Sequence, residues 1–402
     1  MAPRRGSGPP SFIAESDAQA ATGSTVTVAK PTGTVSGDLI IGWVISEDEL
    51  VSGMLPSGFT KLFERGETSF LVAGFQVGYK FAGGSEPASY DFTVSNGGGA
   101  YMQTWRGAGT PQCIGINGGN ILENLAQTFR AKAENGYGYC ILSDGTTSKV
   151  PGSNSGWDGT TSFDDTEEHG GWAAHAVPGS DTDLVAGANA TDDAYSALVT
   201  IPKTSGTPPH TISCVGEASD YDAAVTLPDN IVSGDLILIA NLSLGSGSAP
   251  TNVVPTGFTQ LNTSTGAESR ATISYKIANG SESGGVITGM NGSSQDIIHA
   301  LVLRKSGGFS SASLFDAAYE ETDATPATQT VNASGGTAPL IVLAIADVFF
   351  FVPVISSFSG DLNIGNHSFI AALYEDSLED VTLNINDGGG PNMLFSAYVE
   401  LS

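Results

Sequence analysis

The stretch SGDLIIGWV, which starts at Ser36, returns as SGDLILIAN at Ser233. A chain that writes one turn and one apolar run twice is bound to build the same substructure twice, so this echo constrains the fold more than any other feature. The match extends in both directions. VTVAKPTGTV (26–35) stands against VTLPDNIV (225–232), LPSGFTKL (55–62) against VPTGFTQL (254–261), and VGYKFAGGSE (77–86) against ISYKIANGSE (273–282). YSALVTI (195–201) and FSAYVEL (395–401) close the two copies, and the offset stays between 196 and 200 residues throughout. That spacing predicts two tandem copies of a domain large enough to bury its own core. A boundary falls in the Pro/Ser/Gly stretch KTSGTPPH (203–210). The expected organisation is an N-terminal arm over residues 1–12, a first domain over 13–203, a linker over 204–209 and a second domain over 210–402.

Strand patterning decides the fold class. FQVGYKF (75–81) places Phe75, Val77, Tyr79 and Phe81 on one face and Gln76, Gly78 and Lys80 on the other, and ATISYKI (271–277) repeats the pattern. A period of two marks a strand with one buried and one wet face. LIIGWVI and LILIANL are instead almost continuously apolar, as a strand covered on both sides requires. Turn signals such as PSGF, NGGG, NGSS and DGGG recur, and the one amphipathic helix candidate is ILENLAQTFRAKAE (121–134). The chain is therefore expected to be all-β, two tandem antiparallel β-sandwiches of jelly-roll type preceded by an extended arm. In this frame Gly37 and Gly234 supply positive φ, and Asp38 and Asp235 accept a backbone N–H within the turn. A catalytic role for the paired aspartates is disfavoured, since each sits beside apolar residues with no nearby His or second acid.

Composition excludes several function classes. Glycine is abundant, at 52 of 402 residues, but 40% of the chain is hydrophobic and 14% charged, the balance of a turn-rich packed protein. A net charge of −27 argues against nucleic acid and anionic membranes as partners. The longest apolar run, PLIVLAIADVFFFVPVI (339–355), carries Asp347 and is broken by Pro353, so two buried strands around a turn are expected there. Arg4 and Arg5 are followed by GSGPP, unlike a secretory leader. Three cysteines, Cys113, Cys140 and Cys214, have no metal-ligand spacing and make no disulfide framework.

Few residues offer chemistry. The acidic cluster WDGTTSFDDTEEH (157–169) puts Asp158, Asp164 and Asp165 forward as candidate Ca²⁺ ligands, although the residue order of a calcium loop is absent. Trp157, in the same Gly/Asp loop, is the one tryptophan placed to be an exposed platform for a sugar ring, whereas Trp43, Trp105 and Trp172 lie in apolar strands. His175 reads as a strand histidine, and His299 and His367 as isolated. There is no nucleophile elbow, P-loop, dinucleotide fingerprint or zinc signature, and no carboxylate pair is singled out for glycoside hydrolysis, so an enzyme is not expected.

GDLII, PSGFTKL, YKFAGGSE and the ending WRGAG (105–109) together resemble a repeat of structural proteins of tailed bacteriophages. In that repeat a GDLL strand, a P-x-G-[WF]-T turn, a YYK-A-GSE hairpin and a Y-R-G ending mark one β-sandwich. The resemblance covers residues 26–109 and 225–307; the second copy departs from it by ending in LRKSGG (303–308) and lacking the proline after GSE. It implies a non-enzymatic virion protein of the tail or adsorption apparatus, a homo-oligomer in contact with other virion proteins. A capsid-surface decoration or head fibre is the near alternative, and a carbohydrate-binding adhesin that meets a host surface glycan is the alternative of a different class. The arm MAPRRGSGPPSF is expected to lie along a neighbouring subunit, with Arg4 and Arg5 pairing to its carboxylates and Phe12 anchored in its apolar pocket; packing back on its own domain is the other outcome.

Overall fold

The computed structural model describes residues 8–16, 19–47, 50–67, 73–119, 127–143, 155–164, 170–186, 194–204, 208–220, 224–244, 254–266, 269–288, 297–322, 327–331, 335–347, 359–360, 362–365, 369–375, 381–385 and 392–402. Among them the chain is all β, with thirty strands and no helix. It divides into two compact units, Met1–Arg65 with Leu71–Thr211, and Gly66–Phe70 with Ile212–Ser402.

Each unit holds two sandwiches, where the repeat in the sequence predicts one. The first sandwich comprises β1 (Ser11–Glu15), β2 (Gln19–Ala21), β3 (Thr25–Ala29), β4 (Leu39–Ser46), β5 (Thr60–Glu67), β6 (Gly74–Phe81), β7 (Ser89–Thr93) and β8 (Gly98–Arg106). The second comprises β9 (Gln112–Gly119), β10 (Gln127–Ala131), β11 (Gly136–Ser143), β12 (Gly159–Asp164), β13 (Gly170–Ala176), β14 (Thr182–Ala186) and β15 (Ala194–Ile201). The third comprises β16 (Ile212–Asp220), β17 (Val225–Thr226), β18 (Leu236–Leu244), β19 (Thr259–Thr265), β20 (Ser269–Ile277), β21 (Val286–Ile287) and β22 (Ile297–Lys305). The fourth comprises β23 (Ala312–Thr322), β24 (Ala327–Val331), β25 (Leu340–Asp347), β26 (Ser359–Gly360), β27 (Leu362–Gly365), β28 (Phe369–Tyr374), β29 (Val381–Ile385) and β30 (Asn392–Leu401).

One strand order recurs four times. The large sheet runs β1, β8, β4, β6, β5 in the first sandwich and β9, β15, β11, β13, β12 in the second; β16, β22, β18, β20, β19 and β23, β30, β25, β28, β27 repeat it. A strand pair outside the large sheet accompanies each, β3 with β7, β10 with β14, β17 with β21 and β24 with β29. First strand beside last, and second beside next to last, is the wrapped pairing of a jelly roll. The opening strand also bulges at one place in all four, the register slipping after Phe12, Cys113, Cys214 and Leu314. Those positions lie 101, 101 and 100 residues apart (113 − 12, 214 − 113, 314 − 214). The structural period is thus half the period of the sequence motif.

Packing explains the apolar runs. In unit 1, Ile40 and Val44 of β4 join Val26, Val28, Tyr90, Phe92 and Met102 in a core beneath β3 and β7. Leu39, Ile41, Trp43 and Ile45, which alternate with them, are as fully buried and point toward the second sandwich, whose β11 packs on β4 and β8. An antiparallel sheet covered on both faces has no wet side, so LIIGWVIS and GYGYCILS are buried at every position. β11 makes room by alternation. Tyr137 and Tyr139 enter the outer core with Phe129 and Trp172, while Gly136 and Gly138 let Trp105, Gln103 and Trp43 lie against the backbone. A Cβ on Gly138 would sit 2.6 Å from the Gln103 side-chain oxygen, and one on Gly136 2.8 Å from the Trp105 ring. Burying an indole on this scale removes about 200 Å² from water, worth on the order of 5 kcal/mol as an upper figure.

Two expectations are corrected. Residues 127–131 of the helix candidate are strand β10, paired with β14, because Phe129 and Ala131 fill a core whose period is two; residues 121–126 lie outside the described residues. In FQVGYKF the second face is covered too, so burial does not alternate, and Phe81, expected on the buried face, is exposed. Gln76 is buried, and a Cβ on Gly78 would meet Leu55 at 2.5 Å. The run at 339–355 begins as β25; residues 348–358 lie outside the described residues. No described helix is long and apolar enough to cross a membrane.

Candidate functional site

The repeated motif resolves into two ionic clamps, present in the first and third sandwiches. The SGD turn needs positive φ at Gly37 (90°) and Gly234 (93°). Asp38 accepts the Val35 N–H at 2.9 Å and Asp235 the Val232 N–H at 2.8 Å, as the turn chemistry predicts. What spacing alone did not reveal is the partner. Arg106 Nε and Nη2 donate to the two oxygens of Asp38 at 2.9 and 2.8 Å, and Arg304 grips Asp235 in the same way at 2.8 and 2.7 Å. Each arginine also donates to the carbonyl of its turn, Gly33 at 3.1 Å and Asn230 at 2.8 Å. Two parallel bonds from a planar fork fix geometry as well as charge. A signal was present in the sequence, since Arg106 follows Asp38 by 68 residues and Arg304 follows Asp235 by 69, in a chain with 15 basic residues. The LRK ending of the second copy therefore keeps the feature that matters.

The second clamp joins the P-x-G-F turn to the YK-A-GSE hairpin. Lys80 pairs with Glu86 at 2.8 Å and Lys276 with Glu282 at 2.8 Å. Each ammonium also lies over the turn phenylalanine, Phe59 at 6.0 Å and Phe258 at 5.9 Å. Glu86 accepts as well from the Tyr90 hydroxyl and the Gly83 N–H. Burial works to raise its carboxyl, but the bonds from Lys80, Tyr90 and Gly83 and the Lys80 charge outweigh it and hold the pKa at about 2. Glu282 is held low in the same manner, against burial, chiefly by Lys276.

A third feature was not foreseen. Glu15 and Glu217 each stand three residues after the residue at which the opening strand bulges, Phe12 and Cys214. Glu15 faces the layer between the first and second sandwiches, and Glu217 is fully buried. Glu15 accepts hydrogen bonds from the Tyr101 and Thr161 hydroxyls, and burial followed by Glu15 pushes the Tyr101 phenol upward. Glu217 lies 3.7 Å from His299 Nδ1, both side chains being buried. His299 is thus not isolated. Tyr101 and His299 occupy equivalent positions, opposite Trp43 and Ala240, each the seventh residue after its SGD serine.

The candidate site residues are not brought together. Phe12 belongs to β1, and its ring stacks on His175 at 3.6 Å and meets Trp105 edge-on at 5.4 Å. It is anchored in its own unit, where a pocket of a neighbouring subunit had been expected. Arg4 and Arg5 lie outside the described residues. His175 is held low by burial, against the charges of Glu15 and Asp158. Trp157 is no open platform. Its indole N–H donates to the Val185 carbonyl at 2.9 Å, and its ring packs at 6.2 Å against Trp172 and 5.8 Å from Tyr139. Asp158 accepts the Val177 N–H at 2.7 Å, a turn role. Asp164 ends β12 opposite Gly170, and Asp165 lies outside the described residues. Among the described residues no three His, Cys, Asp or Glu side chains are grouped to hold a metal ion. Cys113, Cys140 and Cys214 are buried, and burial pushes the Cys113 thiol up to about 12.

No protein-family model and no curated protein matches the chain. Among solved structures, one described as the triple jelly roll fold and turret assembly of an archaeal virus aligns at 10% identity over 73% of this chain and 90% of that one, with a TM-score of 0.17. A likeness that distant carries no argument about fold or function.

Proposed function

We propose that the chain is a non-enzymatic structural component of a bacteriophage virion, in the tail or adsorption apparatus, assembling with other virion proteins and further copies of itself. The observation that carries this reading is the fate of the repeated residues. Asp38 with Arg106, Lys80 with Glu86, and their counterparts in the third sandwich spend their charges on one another inside the fold. What recurs is scaffold, and the motifs that compose it are those that resemble the phage structural repeat. A chain with a net charge of −27 and stacked sandwiches suits a surface-built particle component better than a site-built enzyme. The glycan-binding alternative loses its platform, since Trp157 is committed to the second sandwich.

Antibodies to the chain should label purified particles at the tail by electron microscopy. Labelling of the head surface would favour the decoration alternative, and protein found in the lysate yet missing from particles would overturn the virion reading. Incubation with host polysaccharide should release no reducing ends; release abolished by one Asp or Glu substitution would make the chain a hydrolase.

A further inference from the structure

The face of β5 and β6 beneath Leu55 holds a polar trio that the scaffold does not require. Glu64, on β5, is 3% exposed, and Gln76, on β6, is 1% exposed. One carboxylate oxygen, Oε2 of Glu64, accepts from Gln76 Nε2 at 2.9 Å and is paired with the Lys61 ammonium. Gln76 Oε1 is buried with no hydrogen-bond partner. In the third sandwich the same places carry Thr263, five residues after Phe258 as Glu64 is five after Phe59, and Thr272, which precedes Ile273 as Gln76 precedes Val77. Thr263 and Thr272 pair across the strands and share one hydroxyl hydrogen bond of 3.1 Å. The equivalent of Lys61 there is Gln260. In the third sandwich Thr263 stays exposed, whereas the first sandwich buries a carboxylate at that place and leaves a carbonyl oxygen unbonded, both costly.

An amine, a carboxamide and a carboxylate between them, the last two buried and the amine 16% exposed, are the parts of an amide exchange. We propose that Lys61 and Gln76 become joined by an isopeptide bond, with Glu64 carrying the proton between them. Within the ion pair the Lys61 ammonium passes a proton to Glu64, which frees the lone pair on Nζ. Nζ attacks Cδ of Gln76; a C–N bond forms and the carbonyl becomes a tetrahedral oxyanion. Glu64 returns its proton to Nε2, the C–Nε2 bond breaks as the carbonyl reforms, and the proton lost by Nζ leaves with the ammonia. The sum is an ammonium and a primary amide giving a secondary amide and ammonium ion, with no oxidant or cofactor. Holding the reactants in one orientation supplies the acceleration that such a step needs, and the product ties β5 to β6 covalently. This inference is independent of the virion reading.

Mass spectrometry of the full chain, unfolded and digested with trypsin, tests it. The expected result is a branched peptide in which the segment running through Lys61 to Arg65 is bonded to residues 66–80, about 17 Da lighter than the sum of its parts through loss of ammonia. Glu64→Gln should abolish the branch and restore cleavage after Lys61. Wild-type protein with unbranched peptides and ordinary cleavage after Lys61 overturns the proposal, whatever the variants do. A branch that persists in Glu64→Gln overturns the role given to Glu64, and Lys61→Arg, which keeps the charge, must lose the branch in any case.

Discussion

Sandwiches one and three share their strand order with sandwiches two and four, yet the two pairs are held by different means. The odd sandwiches close the start of their central strand with a buried aspartate gripped by an arginine from the last strand. In the even sandwiches the same register places Tyr137 opposite Thr200 and Leu340 opposite Glu400. One topology is thus reached with an aspartate–arginine pair at this place and without one. The lesson is that strand order is set by the alternation of apolar faces, while the motif that makes the chain recognisable is one local solution among several.

The largest expected effect separates the two routes. Asp38 is 3% exposed and its partner Arg106 48% exposed, so removing the arginine strands a buried carboxylate, whereas removing the acid frees an arginine to reach water. Arg106→Ala should cost about 3 kcal/mol and Arg304→Ala a similar amount. Thr200→Val, at the equivalent position of the second sandwich, removes a hydroxyl that has no hydrogen-bond partner and should change stability by less than about 0.5 kcal/mol. Urea unfolding of the three variants measures this. Equal costs would break the distinction between odd and even sandwiches.

That contrast also explains what could be read beforehand. The β class, the SGD turns and the doubly covered central strands were legible because turn chemistry and a period of two are local. The recurrence near 100 residues was not, because the even sandwiches keep only the pairing: FIAE, CIGI, CVGE and LFDA at the four bulges share size and apolarity but little identity. The arginine partners are not legible locally, because a contact across 68 residues leaves its only signal in the long spacing. Trp157 was misplaced for a related reason. A Gly/Asp loop reads as exposed, and nothing local reports that Val185 offers its carbonyl to the indole.

Acid should act on the odd sandwiches. The Glu86 carboxyl is lowered from 4.5 to about 2, and Glu282 is lowered as well. A carboxyl depressed in the folded state contributes stability that is fully present above its unfolded pKa and is lost as pH falls through the folded value. The window therefore runs from about pH 4.5 down to about pH 2, and Glu86 contributes at most about 3 kcal/mol across it. Glu86→Gln should be less stable than wild type at pH 7, and the gap should close toward pH 2. A gap that is constant with pH would show that the Lys80 clamp does not titrate.

The layer between sandwiches one and two offers a smaller test. Gly138→Ala sets a methyl against Gln103 and the Trp43 ring and should cost about 2 kcal/mol by overpacking. Gly37→Ala, at a positive φ with open space around it, should cost about 1 kcal/mol through the backbone alone. Reversal of that order would mean that the layer gives way more easily than the turn.

The smallest effect concerns the opening strands, which differ although they bulge alike. Cys113 and Cys214 are small side chains fully buried at the bulge, whereas Phe12 is half-buried and holds β1 by its stack on His175. Pro10 adds to that hold, lying where a Cβ on Gly136 would meet it at 3.2 Å. Deleting residues 1–8 leaves Pro10 and Phe12 in place and should shift stability by less than about 0.5 kcal/mol, while deletion through residue 16 also strips Phe12 and Glu15 and should cost several times more. Thermal unfolding of the two truncations reads the difference. If Arg4 and Arg5 pair with a neighbouring subunit, the short truncation should keep its melting temperature and yet enter particles poorly; normal incorporation would confine the arm's role to its own chain.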